Sequence, residues 1–275
     1  MSISFAAFLA LYYVSILLCV LVATFIFVDM KKRRMKAVFE TARRNARVIA
    51  IFVIIPLFVL TEKWISPASR TVDYTPLISS FYGSIPGIVQ HSLLNPAMTA
   101  FMEIIYVHGF TFIIYFTPYL LIVNSDDRYF KEYTGIIFLN YLVLIPFYIY
   151  FPVHPPAYYL TTVSPLLYND HYMGRLVTGI DPLDNCFPSG HISLILSTLL
   201  FMWKAKKEER ERYEKYAYFL LISFLLIALS ILYLGIHWPA DILAGIALAY
   251  AAYYVVERGY LFRLIDALIS LMKKS

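Results

Sequence analysis

Apolar residues fall along this chain in long, nearly unbroken runs. They cover roughly residues 5–28, 47–62, 103–123, 134–152, 187–203, 216–235 and 239–257. A helix needs about 20 mainly apolar residues to cross a bilayer, with a range of about 17–25. Seven such runs predict seven spans and an all-α, polytopic transmembrane helical bundle. The second run is the shortest, with 14 uncharged residues between Arg47 and Glu62. It spans if Arg47 snorkels to the interface.

One apolar stretch does not fit this pattern. Residues 74–102 carry no Lys, Arg, Asp or Glu, yet Pro76, Pro86, Pro96, Gly83 and Gly87 interrupt them. Helix breakers at that density argue against a simple span and for one or two short helices lying on a membrane face. Composition agrees with the membrane reading: 60% of the 275 residues are hydrophobic and 15% charged, against about 25% charged in soluble domains. Mean hydropathy is +0.68, so a water-soluble globule is excluded. The stretch before the first basic cluster lacks an early Lys or Arg and a small-residue cleavage site. It is expected to be a retained span, not a secretory signal peptide.

Charge predicts orientation. Segment 31–47 holds eight Lys and Arg, 124–133 two, 204–215 six, and the tail after Val256 four, together 20 of the 23. Seven alternating spans put all four segments on one side, which the positive-inside rule makes cytoplasmic. The N-terminus is then outside, residues 74–102 lie on the outer face, and 258–275 form a cytoplasmic amphipathic tail. The basic run KKRRMK beside a span sets topology and meets anionic headgroups; no nucleic-acid partner is expected. Cys19 and Cys186 form neither a disulfide framework nor a metal-type pattern, and both are expected to be packing.

Two short stretches carry chemistry, CFPSGHISL (186–194) and GIHWPADILAG (235–245). Each opens a span, and the expected topology puts both on the outer face. Helix N-termini hold anions through unpaired N–H groups and the positive dipole end. Ser189 is a good N-cap, and Gly190 would let an oxyanion approach the backbone. Pro239 suits a first helical turn, leaving His237 just ahead of the helix and Asp241 inside it. A carboxylate at i+4 can reach one imidazole nitrogen and fix its tautomer, which makes the other a competent nucleophile toward phosphorus. His191 would donate the proton to the departing oxygen.

The pair FPSGH (187–191) and HWPAD (237–241) resembles two signature motifs of the type-2 phosphatidic acid phosphatase superfamily. YFPVHPPAYY (150–159) is similar to a proline-rich segment of its inositol phosphorylceramide synthase branch. The resemblance covers roughly residues 100–257, so 101–257 are expected to be the catalytic core of a single integral membrane domain and 1–100 to add the N-terminal spans and interfacial helices. It implies a six-helix core, an attack by His237 giving a phosphohistidine, Asp241 orienting the ring, His191 as acid, and Ser189 with the Gly190 backbone on phosphate oxygens. It also implies chemistry without a metal or other cofactor.

Two departures bear on substrate. Where the family's third motif has Arg, this chain has Ile231 after a matching Ser230, as in sphingolipid-type transferases. The first motif is absent before PSGH; Lys63 and Arg70 have its Lys–Arg spacing but lie far upstream and are followed by Thr71. The phosphate therefore needs another cation. Only Lys63, Arg70 and Arg175 are predicted outside, and Arg175, in the loop leading to PSGH, is nearest in sequence. Asp181 and Asp184 read as turn residues. Glu103, His108 and Asn140 read as helix-packing hydrogen bonds, and His154 and His171 as lining an outer entrance. Ala240, Ala244, Gly245, Ala247, Ala249 and Ala251 form a small-residue face that would bring His237 toward His191.

The expected activity is cleavage of a phospholipid phosphoester, with water as acceptor in a phosphatase or a lipid or polyol hydroxyl in a transferase. A non-enzymatic lipid transporter or scaffold on a degenerate version of the fold is the alternative, and it predicts function without the two histidines. A channel with histidine proton relays would need ionisable groups along several spans.

Overall fold

A computed structural model describes residues 4–29, 35–54, 72–180 and 182–272. Among them all regular secondary structure is helical, apart from a single isolated bridge pairing Val153 and Asn185. In order, the helices are α1 (Phe5–Phe27), α2 (Met35–Arg44), a helical stretch α3 over 46–54, α4 (Thr75–Ser79), α5 (Ile85–Leu93), α6 (Pro96–Ile104), α7 (Phe110–Val123) and α8 (Asp127–Tyr150). Then come α9 (Pro156–Tyr159), α10 (Leu166–Asn169), α11 (Met173–Ile180), α12 (Gly190–Glu208), α13 (Arg210–Tyr233), α14 (Pro239–Glu257) and α15 (Tyr260–Met272).

Five helices are long and apolar enough to cross a membrane: α1, the continuous Pro96–Val123 rod, α8, α13 and α14. Their outer faces carry bare apolar side chains, such as Leu17, Leu18 and Phe25 of α1 and Leu225 of α13. Lipid accepts such faces where water would not. This is an integral membrane protein. Of the remaining two expected spans, 47–62 lies partly outside the described residues. The other, 187–203, is α12, whose 19 residues run into Lys204, Lys206 and Lys207. It is the central rod, packed against α7, α8, α13 and α14. Shielded from lipid, it can carry buried Ser193, Ser197 and Thr198.

Helix ends differ from the apolar runs, because backbone hydrogen bonding continues where hydropathy stops. α8 begins at Asp127 and α13 at Arg210. The largest difference concerns 74–102. Its first part forms the expected short helices, α4 and α5. From Pro96, however, the chain is already in the rod that becomes a span, through a π-helical turn at Ile105–Gly109. Pro96 sits in the first turn behind Asn95, whose side chain accepts from the Met98 N–H at 2.8 Å. A proline there starts a helix instead of breaking it.

At one end of the bundle three charged segments meet. Arg44 pairs with Asp127 at 3.0 Å, Arg128 with Glu132 and Glu208, and Arg212 with Asp126 at 2.9 Å. Lys204 completes the group at 3.0 Å from Glu132, and the Tyr213 hydroxyl donates to Asp126. Three of the four segments expected to share a side from their charge therefore share an end.

The close approach of α12 and α14 depends on small residues. A Cβ on Gly245 would lie 2.7 Å from the Ser189 carbonyl oxygen and 3.1 Å from the Ile192 Cβ. The buried stripe of α14 is Gly245, Leu248, Ala249, Ala252 and Val256. Ala247 and Ala251 are exposed, so the small-residue face is narrower than expected and follows the helical repeat. Asn140 donates to Ser197 Oγ at 3.0 Å, tying α8 to α12 as a packing hydrogen bond. His108 packs edge-on against Tyr12, with ring centroids 4.8 Å apart.

Candidate active site

The opposite end of α12 holds both motifs. Ser189 is the N-cap: its hydroxyl oxygen accepts from the Ile192 N–H at 3.3 Å, and its carbonyl from the Ser193 N–H at 3.0 Å. The preceding Phe187–Pro188 peptide is cis. Across the gap Pro239 opens α14, and Asp241 reaches back to accept the Trp238 N–H at 2.8 Å. The Ser189 N–H donates to the Asp241 carbonyl oxygen at 3.0 Å, locking the two helix starts together.

This lock sets the side-chain geometry. His237 Nδ1 lies 3.3 Å from Asp241 Oδ2. The His191 and His237 rings stand 5.7 Å apart between centroids, tilted by 60°. Two imidazoles and a carboxylate, about fifty residues apart in sequence, thus share one small volume. Asp241 is fully buried and His237 only 3% exposed. Burial pushes the His237 pKa down to about 4, against a hydrogen bond to the Cys186 backbone that raises it. The ring is therefore neutral near pH 7, with a lone pair available. Asp241 Oδ2 serves both His237 and Trp238, while Oδ1 is buried without a hydrogen-bond partner among the described residues.

Aromatic side chains hold the other imidazole. Tyr106 and Phe110 pack on His191, with centroids at 4.6 and 4.4 Å. They flank or occupy the π-helical turn, a device that often marks a functional position in a helix. Around Trp238 the chain forms a roof. The buried indole N–H donates to the His154 carbonyl at 2.8 Å, and the His154 N–H donates to Thr75 Oγ1 at 2.8 Å. Beside it the Val153 N–H donates to the Asp184 carbonyl and the Cys186 N–H to the Val153 carbonyl, at 2.9 and 3.2 Å. His154 enters this roof through its backbone.

The predicted binding residues divide. Ser189 is committed to capping α12. The space beside Gly190 is taken by Tyr148: a Cβ there would meet its hydroxyl at 2.6 Å, and that hydroxyl donates to the Pro188 carbonyl at 3.2 Å. Arg175, on α11, is exposed and lays its guanidinium over the Phe5 ring, 4.2 Å from the centroid. That contact is with α1, not with the motifs. Lys63, Arg70 and Asp181 lie outside the described residues. His171 is exposed and packs on Tyr172.

Sequence reasoning missed Tyr148, Tyr106, Phe110 and the role of Trp238, because one aromatic among many in an apolar run carries no signal. It also read Cys186 as packing alone. Cys186 is indeed buried, with its thiol donating to the Ile236 carbonyl at 3.4 Å. Its sulfur nevertheless belongs to a group with His237 and Asp241 whose donor atoms all lie within 4.8 Å of one another.

Among curated proteins and solved structures nothing matches the chain. Residues 129–263, just under half of the chain, match the family model described as the PAP2 superfamily. That segment contains Tyr148, PSGH, HWPAD and the helices that join them, and it is what the chain shares with this superfamily.

Proposed function

We propose that the protein cleaves a phosphoester bond of a membrane lipid through a phosphohistidine on His237. The observation that carries this reading is the 5.7 Å separation of the two imidazoles, with the Asp241 carboxylate 3.3 Å from His237. Asp241 holds Nδ1–H, which leaves the Nε2 lone pair for phosphorus. As the N–P bond forms, the bond from phosphorus to the leaving oxygen breaks, and His191 supplies a proton to that oxygen. In the second half His191 takes a proton from the incoming hydroxyl, which attacks phosphorus and frees His237.

The chemistry needs no metal in this scheme, because nucleophile, orienting carboxylate and acid all come from the chain. Charge on the equatorial oxygens still needs donors. The backbone at Gly190 and one of Arg175, Lys63 or Arg70 are assigned that role. The charge bias of the loops supports an outward-facing site, since the acidic and basic network lies at the opposite end. The absent Arg at Ile231 and the YFPVHPPAYY segment favour the transferase-like branch, with a lipid or polyol hydroxyl as acceptor.

The test offers purified protein several phospholipids with and without candidate alcohols and scores free phosphate against new phosphodiester. Product of either kind that disappears in His237→Ala supports the reading. Undiminished turnover in that variant overturns it.

A further inference from the structure

Cys186, His237 and Asp241 come from three separate places: the loop before α12, the linker before α14 and the first turn of α14. Their sulfur, nitrogen and oxygen donors all lie within 4.8 Å of one another, and all three residues are buried. A second observation points to a ligand there: Asp241 Oδ1 is buried without a hydrogen-bond partner among the described residues. A buried carboxylate oxygen left alone costs free energy that a cation would recover.

The donor set selects the cation. Thiolate, imidazole and carboxylate together suit zinc, with bonds of about 2.0–2.3 Å and tetrahedral geometry. Donors on such a tetrahedron sit roughly 3.3–3.7 Å apart, so the three side chains need to close by at most about 1.5 Å. Charge balances too. A thiolate and a carboxylate together cancel a divalent cation, leaving a neutral cluster that is cheap to bury. The thiol proton leaves to solvent on binding. Hard oxygen-seeking cations have no comparable reason to enter.

We propose that Cys186, His237 and Asp241 form a site for a thiophilic divalent cation of the zinc type, and that its occupancy switches the enzyme off. The metal takes the imidazole that attacks phosphorus and the carboxylate that orients it. The coordination claim stands on the three donors alone; the inhibition claim rests on His237 being the nucleophile.

Cobalt(II) titrated into the purified full-length protein tests coordination without any turnover. Wild type and Cys19→Ser should show a thiolate-to-cobalt charge-transfer band and the visible bands of a tetrahedral ion. Cys186→Ser and Cys186→Ala should lose the charge-transfer band. No such band in wild type, or one that survives loss of Cys186, overturns the site. In the activity assay, zinc should inhibit wild type reversibly on chelation. In both Cys186 variants the half-inhibiting concentration, measured against each variant's own metal-free turnover, should rise by more than about tenfold. Equal zinc sensitivity in wild type and variants, or an enzyme active only with zinc, overturns the inhibitory role. A cobalt band in a protein without phosphoesterase turnover keeps the site and removes the functional reading.

Discussion

The two ends of the α12 rod solve opposite problems. At the Glu208 end, charge is abundant and paired: Arg128 reaches both Glu132 and Glu208, and Arg212 reaches Asp126 and Glu209. At the Ser189 end the ion pair among the described residues is His237 with Asp241, and one oxygen of that carboxylate has no hydrogen-bond partner among them. The first arrangement spends its polar groups on one another and holds three loops in register. The second keeps a neutral imidazole beside a buried, incompletely satisfied carboxylate, an arrangement that suits the proposed reaction. Polar groups at the first end hold the fold together, whereas those at the second surround the proposed nucleophile.

Substitutions at the two ends should separate turnover from stability. His237→Ala should lower kcat by about 10³-fold or more, with thermal unfolding little changed. Asp241→Asn should lower kcat by a comparable order, about 10³–10⁴-fold, because the imidazole loses its tautomer-fixing partner. Assays on detergent-purified protein read both. Asp126→Ala at the other end should do the reverse. It removes the acceptor of Arg212 and Tyr213, costs about 1–3 kcal/mol of stability by thermal or denaturant unfolding, and leaves kcat per folded molecule near wild type. A large kcat loss in Asp126→Ala would break the comparison.

The legible part of the fold was what lipid dictates. Runs of apolar residues marked the five helices long enough to cross a membrane, and three of the four Lys and Arg clusters marked segments that meet at one end. The motifs were legible because His, Asp, Ser and Gly are rare in apolar helix starts. Other features depend on distances that no local pattern encodes. Tyr148 touches Gly190 from forty-two residues away in sequence, and Cys186 meets Asp241 only because the Ser189 N–H binds the Asp241 carbonyl. Pro96 misled because a proline at a first helical turn and a proline inside a helix read alike until Asn95 is seen capping.

Smaller effects sharpen the contrast. Gly245→Ala places a Cβ 2.7 Å from a backbone oxygen, so α12 and α14 must part. A cost of about 1–3 kcal/mol is expected, together with a fall in kcat as His237 moves from His191. A loss of stability without a change in kcat would show that the two helix starts are set independently. The pH profile gives a further check. Protonation removes the His237 lone pair, so kcat/KM should fall as pH drops through about 4, not near the ordinary imidazole value of about 6.5. Least of all, Lys36→Ala at the exposed pair with Glu40 should change stability by less than about 0.5 kcal/mol.

The central claim is a covalent bond between phosphorus and His237. Enzyme mixed with a phosphate-labelled lipid, quenched in alkali within one turnover and digested, should yield label on the peptide containing residues 235–245, stable to base and lost in acid. Label on another residue, or product formed in a single turnover without any labelled protein, would contradict the account.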